Sequence, residues 1–309
     1  MISIVLFLVM MISKDTWKDV ELLKNDREHG AAQLFARGAA IILDALRSDD
    51  LISPHELLPL VKAVLDAQPS MAPLINLCNK VMVLVESGRN LEAVEYLEGV
   101  VSCPGTGGAG LMRDRLTLLL QGRERVVVFS YSSTVTAALA STGVRPQVLT
   151  HRGHPIDDGL KSADFLHSKG FQVTLTSDLC LPGMLKEGDV VLTGCDAITV
   201  SGMVNRSGTY PLLLAARDRD VPVVVLTDES KLLPAPLESF LEVREAPAEE
   251  MLPGGAEYRV RHFYFEMVPL SLVSVVITPN RDIAVSELVP VLKNTGLVSR
   301  LLSILAFDT

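Results

Sequence analysis

The tightest constraint on how this chain can fold is a change of hydrophobic period near Arg125. From Trp17 to about Gln121 apolar residues recur at helical spacing, and no stretch alternates like a strand. Beyond Arg125, short β-branched runs at 126–129, 147–150, 172–175, 190–193, 221–226 and 272–277 are separated by helical stretches. Runs so apolar, spaced by helices, predict parallel strands buried on both faces. The expectation is an α/β chain: an N-terminal helical domain over 13–121 and a C-terminal, doubly wound parallel sheet domain over 122–309 that carries the ligand pocket.

Local signals support the helical part. Asn25 or Asp26 can cap a helix running through Leu34, Ile41, Ile42 and Leu46, and Ser53, Pro54 and Glu56 open the next in capping-box style. Further helical stretches cover 71–84 and 90–97, and a Gly-rich break at 104–110 ends the pattern. With 309 residues and 48% hydrophobic content, there is material for one large domain or two ordinary ones with buried cores.

Charge and cysteine usage narrow the function classes. A net charge of −9 gives no general attraction to phosphate backbones, which argues against direct nucleic-acid binding. Cys78, Cys103, Cys180 and Cys195 lack CxxC spacing and fit reduced thiols of a cytoplasmic protein, with neither a disulfide framework nor a zinc site. Residues 1–12 are almost wholly apolar. The run is too short to span a bilayer, lacks a basic start, and leads into Ser13-Lys14-Asp15 without a small-residue cleavage site. Two readings stand: an apolar N-terminal strand or helix, or translation starting at Met10 or Met11. Neither makes this a membrane protein.

In doubly wound sheets ligands bind beyond the carboxyl ends of the strands. There the chain has Ser130-Tyr131-Ser132-Ser133-Thr134, then His151-Arg152-Gly153-His154-Pro155, then Gly194-Cys195-Asp196. The hydroxyl cluster, with Ser130, Ser132 and Ser133, either holds an anion with the help of free helix N–H groups or simply caps a helix. Asp196 follows an apolar strand, where desolvation raises a carboxyl pKa and suits it to shuttle a proton; the competing reading is a backbone cap. Arg206, with Asn205, precedes a second helix start and can hold a phosphate or carboxylate in fork geometry, or stand solvated. His151 and His154 share a loop, with Asp157 and Asp158 as the nearby carboxylates, but no recognised metal pattern is present and no metal or cofactor is expected.

Several segments in order carry a family resemblance: Asp26-Arg27-Glu28-His29-Gly30-Ala31, Gln68-Pro69-Ser70-Met71-Ala72-Pro73, Tyr131-Ser132-Ser133-Thr134-Val135, Gly194-Cys195-Asp196-Ala197, Asn205-Arg206-Ser207-Gly208-Thr209-Tyr210 and Phe265-Glu266-Met267-Val268-Pro269. The set resembles the alpha, beta and delta subunits of eukaryotic initiation factor 2B and the related isomerases of 5-methylthioribose 1-phosphate and ribose 1,5-bisphosphate. The resemblance runs from about Asp26 to the C-terminus. It implies a Rossmann-like C-terminal domain, a homodimer through that domain, and a sugar-phosphate pocket in which Gly30, Ala31, Asn205 and Arg206 contact ligand and Asp196 is the acid; His29, His154 and Asp158 fall at further positions of the family's pocket, as candidate ligand contacts that differ from the isomerase residues.

The departures from the isomerase pattern bear on function. The isomerases carry a catalytic cysteine just after the first sheet strand, where this chain has Ser130 and Tyr131. His29 and Gln68 stand where the isomerases have arginine, and Arg152 and His154 occupy the first and third positions of their Glu-x-Arg-Pro loop. Side-chain alternation turns Cys195 away from Asp196, so it is no substitute thiol. The expected function is binding of a phosphorylated sugar or nucleotide by a regulatory or catalytically divergent member; the alternative is an aldose–ketose isomerase acting on a sugar 1-phosphate.

Overall fold

The computed structural model describes residues 12–26, 29–48, 51–102 and 108–294. The apolar leader up to Met11, Cys103 with most of the Gly-rich break, and the C-terminal stretch after Asn294 lie outside the described residues. Two compact units are present. The described residues within Met1–Gly105, Leu233–Glu242 and Lys293–Thr309 form one, and those within Thr106–Leu232 and Val243–Leu292 the other.

The second unit is built on twelve strands: β1 (Arg125–Phe129), β2 (Gln147–His151), β3 (Val173–Thr176), β4 (Val191–Thr193), β5 (Ala197–Ile198), β6 (Met203–Arg206), β7 (Val223–Leu226), β8 (Glu245–Ala246), β9 (His262–Phe263), β10 (Phe265–Val268), β11 (Val275–Ile277) and β12 (Asp282–Ala284). Seven of them form the main sheet in the order β12-β11-β7-β4-β1-β2-β3, parallel throughout except for β12. Strand alternation sorts its side chains onto two buried faces. Val127, Phe129, Leu149, Val191, Val223 and Val225 join one core, and Val126, Val128, Val148, Leu192, Val224 and Leu226 the other. This is the parallel sheet buried on both faces that the β-branched runs predict.

Three features depart from the sequence expectation. β3 is an edge strand, so its Leu175 is 46% exposed where a doubly buried strand was expected. The helix Arg113–Leu120, whose period groups it with the helices before it, sets Leu116 and Leu120 into a core of the sheet. A separate antiparallel sheet, β10-β6-β5, is built from strands too short to register as alternation, and it contains three of the family-like segments. Its register pairs Glu266 with Asn205 and Phe265 with Arg206.

The first unit is helical: Lys14–Asn25, Ala31–Ser48, Pro54–Ala67, Ala72–Glu86 and Asn90–Ser102. Ser13 caps the first helix by accepting the Thr16 amide at 3.0 Å, and Ser53 with Glu56 forms a complete capping box. The 3-10 turn Ala235–Phe240 belongs here too, with Leu237 buried and the Glu242 amide donating to the Pro69 carbonyl at 2.9 Å. In the helix Ala72–Glu86, Asn79 is fully buried, and among the described residues neither end of its amide has a hydrogen-bond partner. A buried polar group left unpaired costs about 1–3 kcal/mol, whereas an apolar side chain of similar shape carries no such penalty. Asn79→Leu is therefore expected to raise the unfolding free energy by about 1–3 kcal/mol in urea titrations. A loss of stability would mean that this amide has a partner in solution.

Candidate functional site

The chain leaves β1 through Ser130, whose φ of 59° is left-handed, a conformation that costs a non-glycine residue about 1 kcal/mol. Two bonds hold it there. Its N–H donates to His151 Nε2 at 2.8 Å, and its carbonyl accepts from Ser162 Oγ at 2.8 Å. His151 closes β2, its ring stacked on Phe129 with centroids 4.1 Å apart. Because Nε2 accepts, the ring proton sits on Nδ1, which lies 2.5 Å from Asp178 Oδ1. Asp178 also accepts from the amides of Gly153 at 3.0 Å and His154 at 3.3 Å. Burial pushes the Asp178 carboxyl up, but the His151 bond and those two amides outweigh it and hold the group below its ordinary range. His151 is thus committed to the framework, while His154 stands exposed. Among the described residues no cluster of three His, Cys, Asp or Glu side chains is placed to hold a metal.

After β1 the helix Ser133–Ser141 begins, and Ser132 Oγ caps it by accepting the Val135 amide at 3.3 Å. The capping role is thereby filled by Ser132, and among the described residues the first-turn amides of Ser133 and Thr134 have no acceptor. Adjacent β4 is followed directly by Gly194, where an added Cβ would stand 2.7 Å from Ser132 Oγ. Only glycine lets this strand end approach the capped helix start. Gly153 is under the same pressure: its φ is +84°, and a Cβ there would come within 1.9 Å of Asp158 Oδ1.

Asp158 opens the helix Asp158–Ser168 and accepts from Arg206 Nε at 3.1 Å. The Arg206 guanidinium also lies over the Tyr264 ring, 4.8 Å from its centroid. Asn205, fully enclosed, donates to Thr193 Oγ1 at 2.9 Å and Thr209 Oγ1 at 3.0 Å, tying β6 to the end of β4. The second helix start, expected from sequence as an anion site, is taken. Glu266 Oε1 accepts the amides of Gly208 and Tyr210, each at 2.8 Å, so the chain's own carboxylate occupies the N-terminus of the helix Thr209–Asp218. The Phe-Glu-Met-Val segment carried no sequence signal for that role.

Asp196 lies just past β4, its amide donating to the Val204 carbonyl at 2.9 Å. It is only partly exposed. Burial raises its pKa above the usual carboxylate range; the charges of Lys231 and Arg206 oppose the rise, and Asp158 adds to it. Lys231, which sequence reading passed over, is 7% exposed and donates to the Cys195 carbonyl at 2.7 Å. No motif marks it, and the only hint was its position just beyond a sheet strand. Cys195 itself is 3% exposed in the core, where burial pushes its thiol up to about 12, leaving no thiolate to act as a base.

The structure therefore gathers Ser130, Ser132, Ser133, Asp158, Asp196, Asn205 and Arg206 around the carboxyl ends of β1, β2 and β4 and the neighbouring β6. His29, Gly30 and Ala31 belong to the helical unit, where the Asp26 carboxylate accepts the His29 amide at 3.1 Å and lies 2.9 Å from its Nδ1. Asp178→Asn tests the framework. Because the folded pKa of Asp178 is depressed, the stability advantage of wild type over the variant is complete above about pH 5. It is lost as pH falls through the lowered folded value. The advantage near neutrality is expected to be about 1 kcal/mol or less, since 37% of the side chain is exposed. Paired denaturant titrations between about pH 2 and 7 read it; an advantage that survives undiminished at the acid end contradicts the assignment.

Comparison with known proteins follows the same lines. The chain is 26% identical over 278 residues to the ribose 1,5-bisphosphate isomerase of Archaeoglobus fulgidus, spanning 84% of this chain and 86% of that protein. Its fold matches a translation initiation factor eIF-2B structure from Pyrococcus horikoshii with a TM-score of 0.71 at 23% identity, covering 88% of this chain and 98% of the other. It also matches the 5-methylthioribose 1-phosphate isomerase of the same organism with a TM-score of 0.64 at 17% identity, covering 95% and 88%. The model of the Initiation factor 2 subunit family matches residues 2–280, and the chain belongs to that family.

Proposed function

We propose that this protein binds a phosphorylated sugar or nucleotide at the carboxyl edge of its main sheet, as a regulatory or catalytically divergent member of its family. The observation that carries the reading is Arg206. Asp158 engages its Nε, and Tyr264 supports its plane, which leaves the terminal NH2 groups as a pre-oriented fork for a phosphate. The free first-turn amides at Ser133 and Thr134 offer a second, neutral set of anion donors. Loss of thiol chemistry is argued from Ser130 at the end of β1 and from the buried, protonated Cys195. The rest of the proposal is a homodimer through the sheet-bearing C-terminal domain, in the cytoplasm, with His154 as a further ligand contact. Support for the location comes from the unpaired Cys78, Cys180 and Cys195, and no described helix is long and apolar enough to cross a membrane.

One observation favours a second reading. Burial raises the Asp196 carboxyl above the ordinary carboxylate range, the direction that suits a proton-exchanging acid of an aldose–ketose isomerase.

Calorimetry against ribose 1,5-bisphosphate, 5-methylthioribose 1-phosphate, other sugar phosphates and nucleoside monophosphates, with product analysis of each mixture, separates these readings. Saturable binding without turnover is the expected outcome, and Arg206→Ala is expected to weaken it about 10- to 100-fold. Turnover that disappears in Asp196→Asn would establish the isomerase instead. No binding to any of these compounds overturns the pocket.

A further inference from the structure

A lysine buried to 7% exposure needs a reason, because an ammonium removed from water must find both hydrogen-bond acceptors and counter-charge. The only bond made by Lys231 Nζ among the described residues goes to a neutral group, the Cys195 carbonyl, at 2.7 Å. That bond supplies an acceptor and no charge. The compensating charge has to come from carboxylates nearby, and the backbone brings one there: Asp196 is the next residue after the carbonyl that anchors the ammonium. β7, which leads into Lys231, pairs in parallel with β4, which leads into Asp196. A parallel bridge between Ile198 and Leu232 holds the two segments side by side beyond the strand ends.

We propose that Lys231 is a positioning residue of the site: anchored on the Cys195 carbonyl, its ammonium sets the ionisation of Asp196 and therefore the charge that a bound phosphate ester meets. The other charged groups acting on Asp196 are Arg206 from β6, which also favours the carboxylate, and Asp158 from the helix after β2, which opposes it. Asp228, on the lysine's own loop, faces the same cluster through Cys195. Lys231 heads the charges that counter burial at Asp196, in keeping with the geometry. Replacing it with a neutral residue would leave the Asp196 carboxyl with a higher pKa. The last step, from carboxyl charge to ligand, rests on the phosphate-ester reading above; the coupling itself does not.

The test is carboxyl-13C NMR of the full chain labelled at aspartate, with the Asp196 signal assigned by its absence in Asp196→Asn. A nearby opposite charge lowers a carboxyl pKa by about 1–3 units, so Lys231→Met is expected to raise that of Asp196 by about one unit or more. Lys231→Arg is expected to restore it. An Asp196 titration that does not move in folded Lys231→Met overturns the proposal, since a merely structural lysine would leave it unchanged. If Lys231→Met fails to fold, the reciprocal measurement decides. Coupling is symmetric, so Asp196→Asn must lower the Lys231 pKa, read from its 13Cε signal, by the same amount, and an unmoved lysine overturns the proposal. A protein that binds no phosphate ester yet shows this coupling keeps the lysine assignment and loses the ligand reading; a binder without the coupling does the reverse.

Discussion

The His151 imidazole ties together the carboxyl ends of three neighbouring strands, because Nε2 accepts from Ser130 after β1 and Nδ1 donates to Asp178 after β3. Everything nearby inherits its position from this bridge. Ser130 keeps a left-handed backbone only because both its N–H and its carbonyl are bonded, and that turn sets the direction in which the helix capped by Ser132 begins. Asp178 in turn holds the amides of Gly153 and His154, which bring the loop back over Asp158. A ring bonded at both nitrogens is held in one orientation.

Beyond the bridge, the site is a set of partly desolvated charges that answer one another. Asp158 orients Arg206, and both act on Asp196, which also lies in the field of Lys231. In a poorly solvated setting such charges interact far more strongly than they would in water, so the carboxyl nearest the strand end has a protonation state set by its neighbours. Glu266 narrows the options further by filling the N-terminus of the helix Thr209–Asp218 with an internal carboxylate. On the proposed reading, the donors left to an anion are the first-turn amides of the helix after β1 and the terminal groups of Arg206. The family's sugar-phosphate relatives and its initiation-factor relatives share this fold, so the difference between chemistry and binding has to lie in a few side chains. Ser130 at the end of β1 and the buried Cys195 thiol are the ones that bear on it in this chain.

The division between what was legible and what was not follows from range. Local periodicity and capping reported the helices and the parallel strands: the Ser53–Glu56 capping box and the β-branched runs describe bonds and burial made within a few residues of themselves. Ordered motifs also pointed to the strand ends where Asp196, Asn205 and Arg206 lie. Only the tertiary structure decided which of these groups are spent and which are open. His151 was visible as a paired histidine, yet its partners come from 21 residues upstream and 27 downstream. The helix start at Thr209 is filled by Glu266, which accepts amides 56 and 58 residues away from it in sequence. Lys231 meets the Cys195 carbonyl across 36 residues and belongs to no motif. Sequence alone determined the helices, the main parallel strands and the edge of the sheet that carries the site, because those depend on local pattern. The protonation, occupancy and orientation of the site were settled by contacts between distant segments, which no local pattern encodes.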